Sequence, residues 1–131
     1  MLVFLVRHAH AEPGDDDALR RLSARGHDEA RALGERLARH ATPPRTVLTS
    51  PFLRALETAE AIADAASAEL LVEERLAPGA TARILRDAVA PVEGPVAAVG
   101  HQPDCSEIAL ELIGSDPGFE PAGVAEIALT R

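Results

Sequence analysis

The chain has 131 residues, 47% of them hydrophobic, which suits one compact domain spanning residues 1–131. Thirteen basic residues against 21 acidic ones leave a net charge of −8, which disfavours binding to nucleic acid. All of the basic residues are arginine, so the absence of lysine excludes a Walker-type phosphate loop and a Schiff-base lysine.

A short strand is predicted at the start of the chain, followed by a polar stretch and a helix. The apolar run Leu2–Val6 predicts a buried strand, is too short for a membrane span and lacks the flanks of a signal peptide. From this short run we expect a soluble protein with no membrane partner, and the single cysteine, which cannot form an internal disulfide, agrees with a cytoplasmic location. Asp15–Asp17 are expected in a solvated turn or at the mouth of a pocket. Ser23 predicts the N-cap of a helix that runs to about His40.

The rest of the chain alternates between strand and helix patterns. In chain order, we predict a strand at Thr46–Thr49, a helix from Pro51 through Ile62, a strand at Leu70–Val72, a helix at Thr81–Val89, a strand at Pro95–Val99, a helix at Asp104–Ile113 and a strand at Val124–Leu129. Ser50 is predicted as the N-cap of the second helix, with Pro51 in its first turn. This alternation predicts a three-layer α/β/α sandwich around a mostly parallel sheet.

Polar side chains follow three of the predicted strands. Arg7 and His8 come after the first strand, Arg54 lies in the segment after the second, and His101 follows the fourth. Ligands of α/β sheets bind beyond the carboxyl ends of the strands. We therefore expect these four side chains, which are far apart in sequence, to meet at one site.

The residue types in this set suit phosphate chemistry. Arginine presents a planar, permanently charged fork that matches the peripheral oxygens of a phosphoryl group. A neutral imidazole nitrogen can attack phosphorus and form a phosphohistidine, while its other nitrogen donates a hydrogen bond that sets the tautomer. A second, protonated histidine would add a further donor. The set therefore predicts phosphoryl transfer through a histidine nucleophile.

Four sequence blocks carry a family resemblance. They are Leu5–Ala9 (LVRHA), Leu22–Gly26 (LSARG), Ser50–Ala59 (SPFLRALETA) and Val99–Pro103 (VGHQP). They resemble, in the same order, the RHG, L-T-x-x-G, SPxxRAxxTA and GHxP blocks of the histidine phosphatase (phosphoglycerate mutase-like) superfamily. Ala9 stands where glycine is commonest in that superfamily.

This resemblance implies a phosphoglycerate mutase-like fold and a phosphatase without metal or organic cofactor. It implies that His8 is the nucleophile and that Arg7, Arg54 and His101 are its phosphate-binding catalytic partners. The short chain is most similar to the SixA-type phosphohistidine phosphatases, which lack insertions over the active site. Arg20 matches an arginine of their R-P-L-T stretch and is a candidate substrate contact. The implied substrate is a phosphorylated protein of the histidine phosphotransfer type, or a small phosphorylated molecule.

The acid that protonates the leaving group is less well defined by the sequence. In many relatives a carboxylate after the third strand has this role, and Glu74 is nearest by position, with Glu73 adjacent. The usual Glu-x-x-x-Gly pattern is absent because Gly79 lies five residues beyond Glu74. Asp104 does not match the acid-phosphatase pattern, in which aspartate directly follows the second histidine, because Gln102 occupies that place.

Several other readings stay open from the sequence. His8 and His10 form an HxH pattern that also occurs in zinc hydrolases, although the downstream Asp-His partner is missing; otherwise His10 is expected at the rim of the site. A phosphatase of small phosphoesters, a mutase, or a non-catalytic module that binds phosphate or phosphohistidine would use the same residues. Cys105 is expected to be a small packing residue.

Overall fold

Five strands form a single sheet in the computed structural model, which describes residues 1–130. The strands are β1 (Leu2–Arg7), β2 (Thr46–Thr49), β3 (Glu69–Val72), β4 (Val96–Gly100) and β5 (Val124–Ala128). Their order across the sheet is β3-β2-β4-β1-β5. The pairs β2–β3, β2–β4 and β1–β4 are parallel, and β5 runs antiparallel to β1. The sheet is therefore mostly parallel, as predicted.

Within the described residues, four helices cover the two faces of the sheet. They are α1 (Ala24–Ala38), α2 (Leu53–Ala66), α3 (Ala82–Val89) and α4 (Asp104–Ile113). One apolar cluster joins α1 and α2 to the sheet, and a second cluster joins α3 and α4 to the opposite face. The three-layer α/β/α arrangement predicted from the sequence is confirmed. Among residues 1–130, no helix is long and apolar enough to cross a membrane.

The first strand shows why its sequence is apolar without interruption. Phe4 and Val6 point into the cluster that contains α1 and α2, whereas Val3 and Leu5 point into the cluster that contains α3 and α4. All four side chains are at most 2% exposed. A strand buried on both faces reads as a continuous hydrophobic run, and β1 therefore ends where Arg7 reaches the edge of the sheet.

The start of α1 depends on a serine cap and a glycine. Ser23 Oγ accepts a hydrogen bond from the Gly26 amide at 3.0 Å, which confirms Ser23 as the N-cap. A Cβ atom on Gly26 would lie 1.9 Å from the His10 carbonyl oxygen, so only glycine fits at this position. The LSARG block thus packs the helix against the chain that follows β1.

The predicted start of the second helix is wrong. Helix α2 begins at Leu53 with Phe52 as its N-cap, and Phe52 provides no side-chain cap. Ser50 is fully buried at the end of β2. Its hydroxyl oxygen accepts a hydrogen bond from the Phe52 amide at 3.2 Å and pairs with a distant histidine, His101, at 2.8 Å. Tertiary contacts therefore hold Ser50 outside the helix.

Two segments between a strand and the following helix contain single 3₁₀ turns. Asp17–Leu19 forms one of them, and Asp16 caps it by accepting a hydrogen bond from the Ala18 amide. Glu74–Leu76 forms the other, and Glu73 caps it in the same way. The Asp17 carbonyl oxygen accepts a hydrogen bond from Arg54, and the Leu76 carbonyl oxygen approaches Gly100, so both turns lie beside the edge where the candidate site residues meet.

Candidate active site

Backbone hydrogen bonds bring three strand ends to one edge of the sheet. Arg7 pairs with Gly100 in the parallel register of β1 and β4. The His8 amide donates to the Gly100 carbonyl at 3.0 Å, and the Ser50 amide donates to the Val99 carbonyl at 3.0 Å. The segments that carry the predicted site residues therefore meet as expected for the carboxyl ends of parallel strands.

His8 has one ring nitrogen bound to the backbone and the other turned towards an arginine. Its Nδ1 lies 2.7 Å from the Ala9 carbonyl oxygen. A carbonyl can only accept, so Nδ1 carries the proton and Nε2 has a free electron pair. Arg54 Nε donates to that Nε2 at 3.3 Å. The Ala9 carbonyl thus receives the tautomer-setting hydrogen bond expected from one ring nitrogen, and Nε2 is the nitrogen with the free electron pair.

The surroundings of His8 keep its ring neutral. Burial is the main cause that lowers the pKa of His8 from 6.5 to about 4, and the charges of Arg54 and Arg7 lower it further. The hydrogen bond to Ala9 opposes this shift only in part. At pH 7 the Nε2 electron pair is therefore not protonated, which a nucleophile requires.

His101 lies next to His8 and is buried. The two ring centroids are 5.3 Å apart, and His101 is 2% exposed. Its Nε2 lies 2.8 Å from Ser50 Oγ. Burial, followed by the charges of His8 and Arg54, lowers the pKa of His101 to about 3. Burial therefore favours the neutral ring, and the protonated second histidine expected from the sequence stays a prediction.

Two buried nitrogen atoms of the site have no hydrogen-bond partner among residues 1–130: Arg7 Nε and His101 Nδ1. Arg7 uses Nη1 to donate to the Phe119 carbonyl oxygen at 3.0 Å, which leaves Nε unpaired. Buried polar atoms are almost always paired in folded proteins. The two unpaired nitrogens therefore indicate a place where an anion would complete the hydrogen bonding.

Arg54 is 6% exposed, and each of its guanidinium nitrogens makes a contact. Nε faces His8, Nη1 donates to the Asp17 carbonyl oxygen at 2.6 Å, and Nη2 donates to Asp17 Oδ2 at 3.2 Å. The guanidinium carbon also lies 5.1 Å from the centre of the Phe52 ring. Arg54 is thus held at the site from three sides.

Arg20 reaches the same group of residues through Asp17. Its Nη1 lies 3.1 Å from Asp17 Oδ1, and its Nε donates to the Glu12 carbonyl oxygen at 2.8 Å. A hydrogen bond from Arg20, with the charge of Arg54 also contributing, lowers the pKa of Asp17. Asp17 is therefore a bridge between two arginines rather than a simple solvated turn residue. The Asp-x-x-Arg spacing of Asp17 and Arg20 could have indicated their ion pair from the sequence, because side chains three residues apart in a helical turn can pair.

Glu74 lies in the segment that flanks the site, but its side chain is exposed and makes no hydrogen bond or ion pair with any residue of the described chain. The segment itself passes close to the end of β4, because the Leu76 carbonyl oxygen would lie 4.0 Å from a Cβ atom placed on Gly100. The adjacent Glu73 is occupied by Arg75, which donates to both of its carboxylate oxygens. The role of Glu74 as the acid stays a prediction.

The remaining candidates from the sequence have structural contacts. His10 Nδ1 lies 2.7 Å from Ser23 Oγ, and no three His, Cys, Asp or Glu side chains within residues 1–130 are grouped to hold a metal ion. Asp104 Oδ2 accepts from the amides of Gly79 and Ala80 and so holds the segment after the second 3₁₀ turn. Cys105 packs in the core, where burial raises the pKa of its thiol to about 12.

Thr58 connects the loop after β1 to the helix that carries Arg54. Its Oγ1 accepts from the Ala9 amide at 3.0 Å and donates to the Arg54 carbonyl oxygen at 2.8 Å. Sequence reasoning placed Thr58 in the SPFLRALETA block but assigned it no function. Its hydroxyl fixes the distance between the His8 segment and α2, and both of its contacts are buried.

Together, the charge and geometry of these residues suit a phosphoryl group. Arg7 and Arg54 supply positive charge, His101 supplies a buried ring nitrogen, and His8 presents an unprotonated nitrogen beside them. Fixed donors around a nucleophile are what phosphoryl transfer requires.

The chain is similar to known phosphatases over nearly its whole length. The family model "Histidine phosphatase superfamily (branch 1)" matches residues 3–78. The phosphohistidine phosphatase SixA of Escherichia coli (strain K12) is 31% identical over 140 residues, which cover 98% of this chain and 86% of that protein. A solved structure of the protein histidine phosphatase SixA complexed with tungstate has a TM-score of 0.86 at 28% identity, covering 98% of this chain and 88% of that one.

A more distant likeness concerns the fold alone. The mycobacterial glucosyl-3-phosphoglycerate phosphatase, solved in complex with VO3, has a TM-score of 0.73 at 17% identity. The match covers 97% of this chain and 90% of that one. With the ordered sequence blocks and the phosphoglycerate mutase-like sheet, these findings agree on one classification. The chain belongs to the histidine phosphatase superfamily and is a hydrolase of the phosphatase type.

Proposed function

We propose that this single-domain enzyme dephosphorylates phosphohistidine on proteins through a covalent phospho-His8 intermediate, without a metal ion. The observation that carries the proposal is the state of His8, whose Nδ1–H donates to the Ala9 carbonyl and whose unprotonated Nε2 faces Arg54. The similarity to SixA proteins supports phosphohistidine as the substrate class. A cytoplasmic location belongs to the same proposal, and cell fractionation tests it.

In the first step, Arg7, Arg54 and His101 hold the phosphoryl oxygens of the substrate. His8 Nε2 attacks phosphorus, so the bond between Nε2 and phosphorus forms while the bond to the substrate imidazole breaks. The electron pair of the broken bond goes to the departing imidazole nitrogen. The Arg54 Nε–H that now faces His8 Nε2 is then free to donate to a phosphoryl oxygen.

In the second step, water attacks the phosphorus of phospho-His8. The bond between phosphorus and Nε2 breaks, its electron pair returns to His8, and a proton of the water ends on the released phosphate. His101 donates a hydrogen bond to a phosphoryl oxygen through its buried Nδ1, which has no partner within residues 1–130. Arg20 is proposed as a contact on the substrate side, and Glu74 as the acid for phosphoester substrates.

A protein-bound phosphohistidine fits the accessible rim of the site. The side chain of Asp17, which bridges Arg54 and Arg20, is 61% exposed, so the arginines lie close to solvent. A phosphorylated side chain presented on another protein can approach from this side. Turnover of phosphorylated histidine-containing carrier proteins, compared with turnover of sugar phosphates, decides between the two substrate classes named by the sequence.

The intermediate is the direct test of the mechanism. Incubation with a 32P-labelled phosphohistidine carrier, followed by rapid quenching, should label the enzyme with a bond that is labile in acid and stable in alkali. His8→Ala should remove both the label and turnover, whereas His27→Gln on the exposed side of α1 should keep both. Full activity of His8→Ala would refute the mechanism. Tight phosphate binding without turnover of any substrate would favour a non-catalytic binding module. Loss of activity on exhaustive chelation would refute metal independence.

A further inference from the structure

Asp17 is a carboxylate that contacts two of the arginines at the site, Arg54 and Arg20. Within residues 1–130 it is the acidic partner of Arg54, with Oδ2 3.2 Å from Nη2, and its Oδ1 lies 3.1 Å from Arg20 Nη1. The charge of Asp17 also acts on the ring of His101, whose buried Nδ1 has no partner. Asp17 therefore lies beside the phosphoryl site, on the side that is open to solvent.

A phosphohistidine substrate brings a particular leaving group to this open side. When the second nitrogen of the substrate ring is protonated, the ring departs as neutral imidazole and needs no proton at the departing nitrogen. The protonated ring is a cation, and Arg7, Arg54 and Arg20 disfavour a further cation nearby. A carboxylate within reach of the ring would offset this repulsion.

We propose that Asp17 accepts a hydrogen bond from the second ring nitrogen of the phosphohistidine substrate and so selects P–N over P–O substrates. As the bond between His8 Nε2 and phosphorus forms, the P–N bond of the substrate breaks and its electron pair stays on the departing nitrogen. The proton remains on the second nitrogen, bonded to Asp17, so no proton moves in this step. This inference rests on the proposed function.

The same carboxylate opposes the departure of an alcohol. A phosphoester leaving group accumulates negative charge on its oxygen, and an ionised carboxylate beside it raises the energy of that state. The contacts from Arg20 and Arg54 keep Asp17 ionised by lowering its pKa. The Asp17 carboxylate thus favours the departure of imidazole from phosphohistidine and disfavours the departure of an alcohol from a phosphoester.

Asp17→Asn tests this role because it removes the charge while an amide oxygen remains for an arginine contact. The probes are phosphoimidazole, which carries the leaving ring, and p-nitrophenyl phosphate, which lacks a ring nitrogen. Opposite charges at close range shift ionisation equilibria by 1–3 pKa units. We therefore expect the kcat/KM for phosphoimidazole, divided by that for p-nitrophenyl phosphate, to fall about tenfold or more in Asp17→Asn. Asp15→Asn, an exposed carboxylate of the same loop, is the matched control and should leave the ratio unchanged.

The outcomes separate this inference from the proposed function. If the wild-type enzyme hydrolyses phosphoimidazole through labelled His8 but Asp17→Asn changes both kcat/KM values by the same factor, Asp17 only positions Arg54 and the inference is wrong. An unchanged Asp17→Asn variant refutes it equally. If the wild-type enzyme hydrolyses neither phosphoimidazole nor a phosphohistidine carrier protein, the proposed function fails and the inference fails with it.

Discussion

Ser50 Oγ and His101 Nε2 lie 2.8 Å apart at the end of two neighbouring parallel strands, and both side chains are buried. This contact holds the imidazole plane of His101 beside His8. Ser50→Ala would leave a buried ring nitrogen unpaired, at a cost of about 1–3 kcal/mol in the free energy of unfolding. We expect kcat/KM to fall about tenfold as the ring loses its orientation.

Steady-state kinetics and urea unfolding of Ser50→Ala measure the two effects. Ser115→Ala, which removes an exposed hydroxyl outside the site, is the matched control and should change neither quantity. Wild-type kinetics in Ser50→Ala would show that packing alone orients His101.

Replacing Thr58 by valine should destabilise the fold. Valine has nearly the same shape but cannot accept the hydrogen bond of the buried Ala9 amide. An unpaired buried amide costs about 1–3 kcal/mol, so urea unfolding should show a free energy of unfolding lower by that amount. Thr58→Ser keeps the hydroxyl and should recover most of the loss. Equal destabilisation by serine and valine would assign the effect to the lost methyl group instead.

Arg54→Lys should impair catalysis because an ammonium group cannot reproduce the planar fork. The present side chain contacts His8 through Nε and Asp17 through both Nη atoms. Loss of a preorganised donor at a developing charge reduces kcat by about 10²–10³, and we expect a reduction of this order in initial-rate assays. Arg45→Lys is the control, since exposed Arg45 pairs with Glu93 at the opposite end of the sheet. A mild effect of Arg54→Lys would argue against direct phosphate contact.

Acid should destabilise the folded protein in a defined pH window. Burial lowers the pKa of His8 from 6.5 to about 4, so the unfolded chain binds more protons than the folded one between these values. The free energy of unfolding therefore rises with pH in this window. The contribution of the neutral His8 ring to stability is lost as the pH falls from about 6.5 to about 4. His101, with a pKa of about 3, extends this loss to lower pH.

Urea unfolding at several pH values and an NMR titration of the His8 ring check this expectation. The ring signal should have its midpoint near pH 4, and His8→Gln should flatten the dependence of unfolding on pH. A midpoint near 6.5 would mean that the ring is exposed and protonated more easily than its contacts indicate.

Glu74→Gln tests the acid that the sequence indicated. An acid is needed for a poor alkoxide leaving group but not for p-nitrophenolate, so the ratio of kcat/KM for an alkyl phosphate to that for p-nitrophenyl phosphate should fall about 10²-fold. Glu73→Gln, next along the chain and paired with Arg75, is the control. Proportional rates on both esters would remove Glu74 from the mechanism.

Much of the fold could be predicted because its signals are local. The run Leu2–Val6 is apolar because both faces of β1 are covered, and Ser23 marks the start of α1 through a contact three residues away. Arg7, His8, Arg54 and His101 were found because each lies in a short block with its own pattern. The structure brings them together, and their roles stay predictions for the experiments above.

The sequence alone determined the alternation of strands and helices, the lack of lysine at any phosphate site, and the segments that carry the histidines and arginines. Only the tertiary structure decided which of these segments are neighbours. Ser50 pairs with His101, which is 51 residues away, and Asp17 pairs with Arg54, which is 37 residues away. Such contacts depend on the order β2-β4-β1 in the sheet and on the path of the loop after β1. Because hydrogen bonds and ion pairs act over a few ångströms, residue order along the chain does not specify them until the sheet has assembled.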